Sequence, residues 1–259
     1  MYPTLPFGPL SFPTGPILTL IAVMVGLDVA GRYGRKLGLS PDDIWNTGLI
    51  AFAAGLIVAR LWNVAQFADI YRSEPNLILS LRPSGFALWP GVVAALLAGY
   101  AYLVYRAMDP AKVGGALAIG ALAGGSIMAV SGYLTGGILG LPSAAPWALN
   151  YFGVPRHPAG LYMALGMAAL TMLLWYLGDP ARPGRTMLWA ILGYSLLRLF
   201  VDGFRDWMEL AGPFRISQII ALLVALGCVV LLARGSESAS AQTDATALPE
   251  QTQESAHAG

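Results

Sequence analysis

Seven apolar runs, at roughly residues 16–31, 45–67, 86–105, 114–140, 158–178, 186–207 and 215–233, take up most of this chain. Each approaches the roughly 20 residues a helix needs to cross a bilayer. Backbone polar groups in hydrocarbon must be satisfied within the segment, so the runs predict helices packed against one another. The expected fold is an all-α membrane protein, a seven-transmembrane-helix bundle. Only 11% of the 259 residues are charged, against about 25% in ordinary soluble domains. Residues 1–15 carry no charge and four prolines, so the basic start of a signal peptide is missing and the first span is expected to be retained. From residue 235 the composition turns to Ser, Ala, Gln, Thr and Glu, without Lys or Arg. Such a segment buries too little apolar surface to order itself. The expected organisation is a transmembrane domain over residues 1–234 and a disordered cytoplasmic tail over 235–259.

Orientation follows from the cations between spans, because short cytoplasmic loops collect Lys and Arg. With the N-terminus outside, the inner loops hold Arg32, Arg35, Lys36, Arg106, Lys112, Arg182 and Arg185, with Arg234 after the last span. The outer side holds Arg72, Arg82, Arg156 and Arg215. This bias predicts an outer N-terminus and a cytoplasmic C-terminus. A formal net charge of +1 gives no electrostatic footprint for nucleic acid. One cysteine, Cys228, and two histidines, one of them His257 in the tail, exclude a disulfide framework and a Cys- or His-rich metal site. No cofactor is implied. The Gly-rich stretch 114–125 lacks the strand context and Lys of a phosphate loop.

Charges inside a bilayer usually face a cavity or a partner, because hydrocarbon tolerates them poorly. Arg60 stands in the second span, and Arg198, Asp202 and Arg205 stand in the sixth at spacings of four and three, on one helix face. With the orientation above, all four fall in the outer half of the membrane. Ser131, Tyr133, Thr135 and Gln218 share their level, with His157 just above. Two readings stay open: a self-neutralising Arg198–Asp202 pair, or an anion site in which guanidinium forks grip a phosphate. For Arg205, snorkelling to the headgroups competes with ligand binding. Asp28 and Arg32 read as a structural pair. Trp89, Trp147, Trp207 and Tyr151 read as an interfacial aromatic belt, and Cys228 as a core or lipid-facing residue.

The opening Gly8–Phe12, Ala59-Arg60-Leu61, Arg156-His157-Pro158 followed by Leu161-Tyr162, Gly193-Tyr194 leading to Arg198, Asp202 and Arg205, and Ile216-Ser217-Gln218-Ile219 together resemble the bacterial prolipoprotein diacylglyceryl transferase family. The resemblance covers nearly all of the chain except the tail. It implies a multi-pass enzyme of the bacterial plasma membrane, whose partners are phosphatidylglycerol, the lipobox of a prolipoprotein signal peptide and membrane lipid. The diacylglyceryl group would pass to the lipobox cysteine, and glycerol phosphate would leave. The expected catalytic residues are His157 and Arg198; the expected substrate-binding residues are Arg60, Asp202, Arg205, Gln218, Arg156 and Tyr162. The sequence departs from the family pattern at Trp89, where a His-Gly-Gly string is usual, at Ser126 in place of an Arg, and at Met163 in place of a Glu. It also has Asp202 where Glu is common. A second reading is therefore carried beside the first: a diverged member that binds phospholipid, or forms a complex, without the reaction.

Overall fold

A computed structural model describes residues 4–7, 10–79, 85–151, 153–206, 210–211 and 214–235. Residues 236–259 of the expected tail, Arg82 and Trp207 lie outside the described residues, and Gly235 ends the last helix. Among the described residues, eight α-helices run in order: α1 (Thr14–Lys36), α2 (Pro41–Gln66), α3 (Ala68–Ser73), α4 (Leu88–Tyr105), α5 (Pro110–Thr135), α6 (Ala159–Leu177), α7 (Pro183–Val201) and α8 (Ile216–Gly235). All but the short α3 are long and apolar enough to cross a membrane. Three two-stranded antiparallel hairpins occupy the connections: β1 (Thr4–Phe7) with β2 (Leu10–Pro13), β3 (Leu149–Tyr151) with β4 (Val154–Arg156), and β5 (Leu210–Ala211) with β6 (Phe214–Arg215).

Helix α5 is the axis of the bundle. It packs on α1, α6 and α7 and buries Val113, Ala116, Ile119, Leu122 and Ala129. The crossing with α1 is tight because both faces are nearly bare backbone: a Cβ at Gly120 would run into the Gly26 carbonyl and Ala30, and one at Gly124 into the Ala22 carbonyl. Close approach of this kind replaces the hydrophobic drive that lipid does not supply between helices. Helix α4 lies along α2, with Gly55 and Gly91 meeting backbone to backbone, and buries only Gly91, Gly99 and Leu103. Cys228 packs with Leu192 and Ala225 on the inner face of α8.

Two spans end earlier than their hydropathy suggests. The fourth stops at Thr135, because Gly136 takes a left-handed conformation (φ 84°) at the helix end, the usual device for terminating a helix. The sixth leaves α-helical geometry after Val201; Asp202–Phe204 form a 3-10 turn, and Arg205 is extended (φ −86°, ψ 142°) and bridged to Gly140. The spacing-based expectation of one continuous helical face from Arg198 to Arg205 is corrected accordingly. The three side chains still meet, through the turn rather than along a helix.

Candidate active site: an arginine pair over an apolar cavity

The Arg198 Nη2 and Arg205 Nη1 atoms lie 2.9 and 3.2 Å from the two carboxylate oxygens of Asp202. Asp202 is fully buried, whereas Arg198 and Arg205 keep 26% and 17% of their side-chain surface. The cluster sums to one positive charge. Arg205 is held at both ends of its chain, by the acid and by the backbone bridge to Gly140, yet its buried Nε has no hydrogen-bond partner.

Both arginines open onto a cavity of about 1020 Å³. Its remaining wall is mostly apolar and small, and includes Pro16 and Leu20 of α1, Phe52 and Leu56 of α2, Met128 and Gly132 of α5, Met163 and Met167 of α6, and Phe86. Along α5 the lining runs from Gly125 to Thr135, a rise of about 15 Å at 1.5 Å per residue. That is half of a hydrocarbon core about 30 Å thick. Tyr194, one turn before Arg198, also lines it. Among the described residues, helix α7 reaches the wall through Tyr194 and Arg198, with Arg205 joining them from beyond the turn, and α2 reaches it through Phe52 and Leu56.

The other expected site residues stand around this cavity rather than in it. The Arg60 guanidinium is consumed by backbone carbonyls: Nε donates to Ile78 O at 3.0 Å, Nη1 to Gly85 O at 2.6 Å, and Nη2 to Leu77 O. It also stacks on Tyr71 and Phe86. Arg60 therefore pins the α3–α4 connection, and among the described residues Phe86 carries that connection to the cavity wall. The Gln218 amide donates to Leu199 O at 2.9 Å and is likewise absent from the lining.

Arg156, His157 and Tyr162 form a rim beyond the end of α5. Arg156 Nη1 donates to Gly140 O (3.0 Å) and to Asp206 Oδ2 (2.6 Å). The strip 139–143 is tied on one side to Phe204–Asp206 and on the other to Pro155–His157 by backbone hydrogen bonds. Trp147 Nε1 donates to the Tyr162 hydroxyl at 2.8 Å, and that hydroxyl is 3.2 Å from His157 Nδ1. The His157 ring sits edge-on to Phe204, with centroids 5.0 Å apart. The Tyr151 hydroxyl donates to Tyr133 O at 2.8 Å, and burial, with Tyr133 adding to it, pushes that phenol above its ordinary pKa. It remains a neutral donor.

Among the three positions that depart from the family pattern, Trp89 is 76% exposed on the lipid side, Ser126 donates to Ala123 O within α5, and Met163 is buried against the cavity. The expected pair of Asp28 and Arg32 is present at 2.8 Å, on the surface of α1. Among the described residues, no group of three or more His, Cys, Asp or Glu side chains has the placement to hold a metal ion.

The sequence model of the family described as prolipoprotein diacylglyceryl transferase matches residues 5–234. A protein named phosphatidylglycerol–prolipoprotein diacylglyceryl transferase from Clostridioides difficile (strain 630) is 26% identical over 215 residues, 83% of this chain and 87% of that protein. Proteins of the same name from Finegoldia magna (26% over 218 residues, 83% and 88%) and Thermosynechococcus vestitus (25% over 226 residues, 82% and 84%) are similar to a like degree.

Proposed function

We propose, from the premise that this chain belongs to the prolipoprotein diacylglyceryl transferase family, that it transfers the diacylglyceryl group of phosphatidylglycerol to the lipobox cysteine of exported lipoprotein precursors. The observation that carries the reading is the apolar cavity, one leaflet tall, that ends on Arg198 and Arg205. Its height suits an acyl chain, and its cations suit a phosphate at headgroup level.

In the reaction, the cysteine sulfur forms a thioether bond to the terminal glyceryl carbon. The bond from that carbon to the phosphate ester oxygen breaks, and glycerol phosphate leaves with the bonding electrons. The phosphodiester carries one negative charge, matching the single positive charge of the Arg198–Asp202–Arg205 cluster. As the ester bond breaks, a second negative charge builds on the phosphate, and fixed cations in a water-poor site favour that charge over the ground state. Asp202 orients both guanidiniums and lowers the cost of keeping two cations together.

The thiol proton must leave before or during attack. His157 is the assigned acceptor, in the tautomer where Nδ1–H donates to the Tyr162 oxygen and Nε2 is left unprotonated. Arg156 and Tyr162 support this rim, Gln218 ties α8 to the end of α7, and Arg60 shapes the wall through Phe86. The end of the bundle bearing the cluster faces the outside of the bacterial plasma membrane, with the N-terminus there and the C-terminus in the cytoplasm. A reporter that works only after export, active when fused after Arg234, would overturn that orientation.

The test of function is transfer of labelled diacylglyceryl from phosphatidylglycerol to a lipobox peptide by the purified protein in nanodiscs, with Arg198→Ala as the inactive control. One observation favours the second reading: among the described residues lining the cavity there is no His, Asp, Glu or Lys. Phospholipid binding that depends on Arg198, with no transfer between about pH 6 and 9 where the thiol becomes ionised, would establish that reading and refute the first.

A further inference from the structure

A second cavity, of about 330 Å³, opens at the opposite end of the bundle, between the last turns of α6 and the first turns of α7. Its wall has two chemistries. Leu173, Leu177 and Trp189 present 52%, 72% and 46% of their surface outward, continuous with the lipid-facing side of both helices. Arg185 is exposed at the mouth and has no ion-pair partner among the described residues, and Arg182 stands one turn earlier. Asp179 also lines the wall, and its Oδ1 already accepts the Ala181 N–H at 2.9 Å. Leu174, Gly178 and Thr186 complete the wall, and the buried Tyr33 hydroxyl lies against Gly178 and Thr186. The level is that of a membrane boundary, since the Arg106–Asp43 and Arg32–Asp28 pairs lie at the same end of the bundle.

Snorkelling alone accounts for an exposed arginine at a helix end. It does not account for a walled cavity beside that arginine, within the roughly 300–1,000 Å³ range of small-ligand sites. We propose that this cavity binds one anionic glycerophospholipid of the leaflet on that side. The phosphate takes the Arg185 fork in two-point fashion. The glycerol backbone fills the cavity, and an acyl chain runs along Leu173 and Leu177 beside Trp189. On the wall Arg185 and Asp179 balance one another, and Arg182, just outside it at the cap of α7, leaves one positive charge at this end, which suits a phosphodiester of single negative charge. The site is separate from the Arg198 cavity and does not depend on the transfer reaction. A lipid held there wedges the α6–α7 connection and steadies the start of the helix whose far end carries Arg198.

The test counts lipids on the full-length protein by native mass spectrometry, after delipidation and titration with phosphatidylglycerol, phosphatidylcholine or inorganic phosphate. Arg185→Gln should weaken one phosphatidylglycerol site about ten-fold, the scale of a lost charge-assisted bond, and Leu177→Trp, which fills the cavity, should weaken the same site. Both positions are exposed, so folding is not at risk. Arg198→Gln should weaken a different site, and the double variant both. Unchanged phosphatidylglycerol retention in Arg185→Gln and Leu177→Trp overturns the proposal. So does equal retention of phosphatidylcholine, or displacement of the lipid by inorganic phosphate, which would mark a free-anion site.

Discussion

Asp202 is the most informative residue to change, because its removal separates holding the fold from holding the ligand. Asp202→Asn keeps shape and volume but removes the charge between Arg198 and Arg205, 2.9 and 3.2 Å away. Breaking a fully buried pair costs about 3–5 kcal/mol, because the partner charge is stranded. Here the guanidiniums retain 26% and 17% exposure to the cavity, so the lower end, about 3 kcal/mol, is the better figure. For a chain of this size that corresponds to a melting point lower by about 6–12 °C. The same change raises the local charge from one to two positive. A phosphodiester then compensates the variant more than the parent, and saturating lipid, worth about 2.7 kcal/mol at a hundred times its Kd, should restore most of the loss. The assay is thermal unfolding in detergent, with and without short-chain phosphatidylglycerol. A fall of less than about 2 °C, or a lipid-induced rise no larger than that of the parent, would refute the electrostatic account of the cluster.

Arg198→Ala and Arg205→Ala should each weaken phosphatidylglycerol binding about ten- to a hundred-fold, with Lys recovering only part because two-point geometry is lost; full recovery by Lys in a lipid-binding titration would contradict that. Arg60→Gln should lower stability by about 2 kcal/mol through the carbonyls it leaves unpaired, while lipid affinity changes less than in Arg198→Ala; the reverse ranking would put Arg60 at the phosphate. His157→Gln should slow transfer more at pH 7 than at about pH 9, where the substrate thiol with a reference pKa of about 8.5 ionises unaided. Equal slowing at both values would give His157 a purely structural role, that of holding Tyr162.

The seven spans were legible because length and hydropathy are local properties, and the Arg198–Asp202–Arg205 cluster because spacings of four and three keep side chains together even across the turn at Asp202. What stayed hidden depends on backbone acceptors and on distant chain. Every residue offers a carbonyl, so no pattern marks Leu77, Ile78 and Gly85 as the partners of Arg60, or Leu199 as the partner of Gln218. Arg156 finds Asp206 fifty residues away. The cavity itself was unreadable, because Met128, Met163, Met167 and Phe52 lining a void look the same in sequence as when they fill a core. Tyr194 was visible as part of a motif, and its place on the wall was not.

Helix α4, at 18 residues, is about 27 Å long at 1.5 Å per residue, short of a hydrocarbon core of about 30 Å. Its neighbour α2, at 26 residues, is about 39 Å long. Thinning of the bilayer beside so short a span is the expected response where flanking residues do not snorkel to cover the difference, at a cost of fractions of a kcal/mol per ångström of mismatch. Such a thinned patch would lie alongside the helix that supplies Phe52 and Leu56 to the cavity wall. Acyl chains there would be compressed along the membrane normal and more disordered before they meet the protein, so a lipid drawn from that patch would give up less packing on leaving the membrane than one drawn from the undisturbed bilayer.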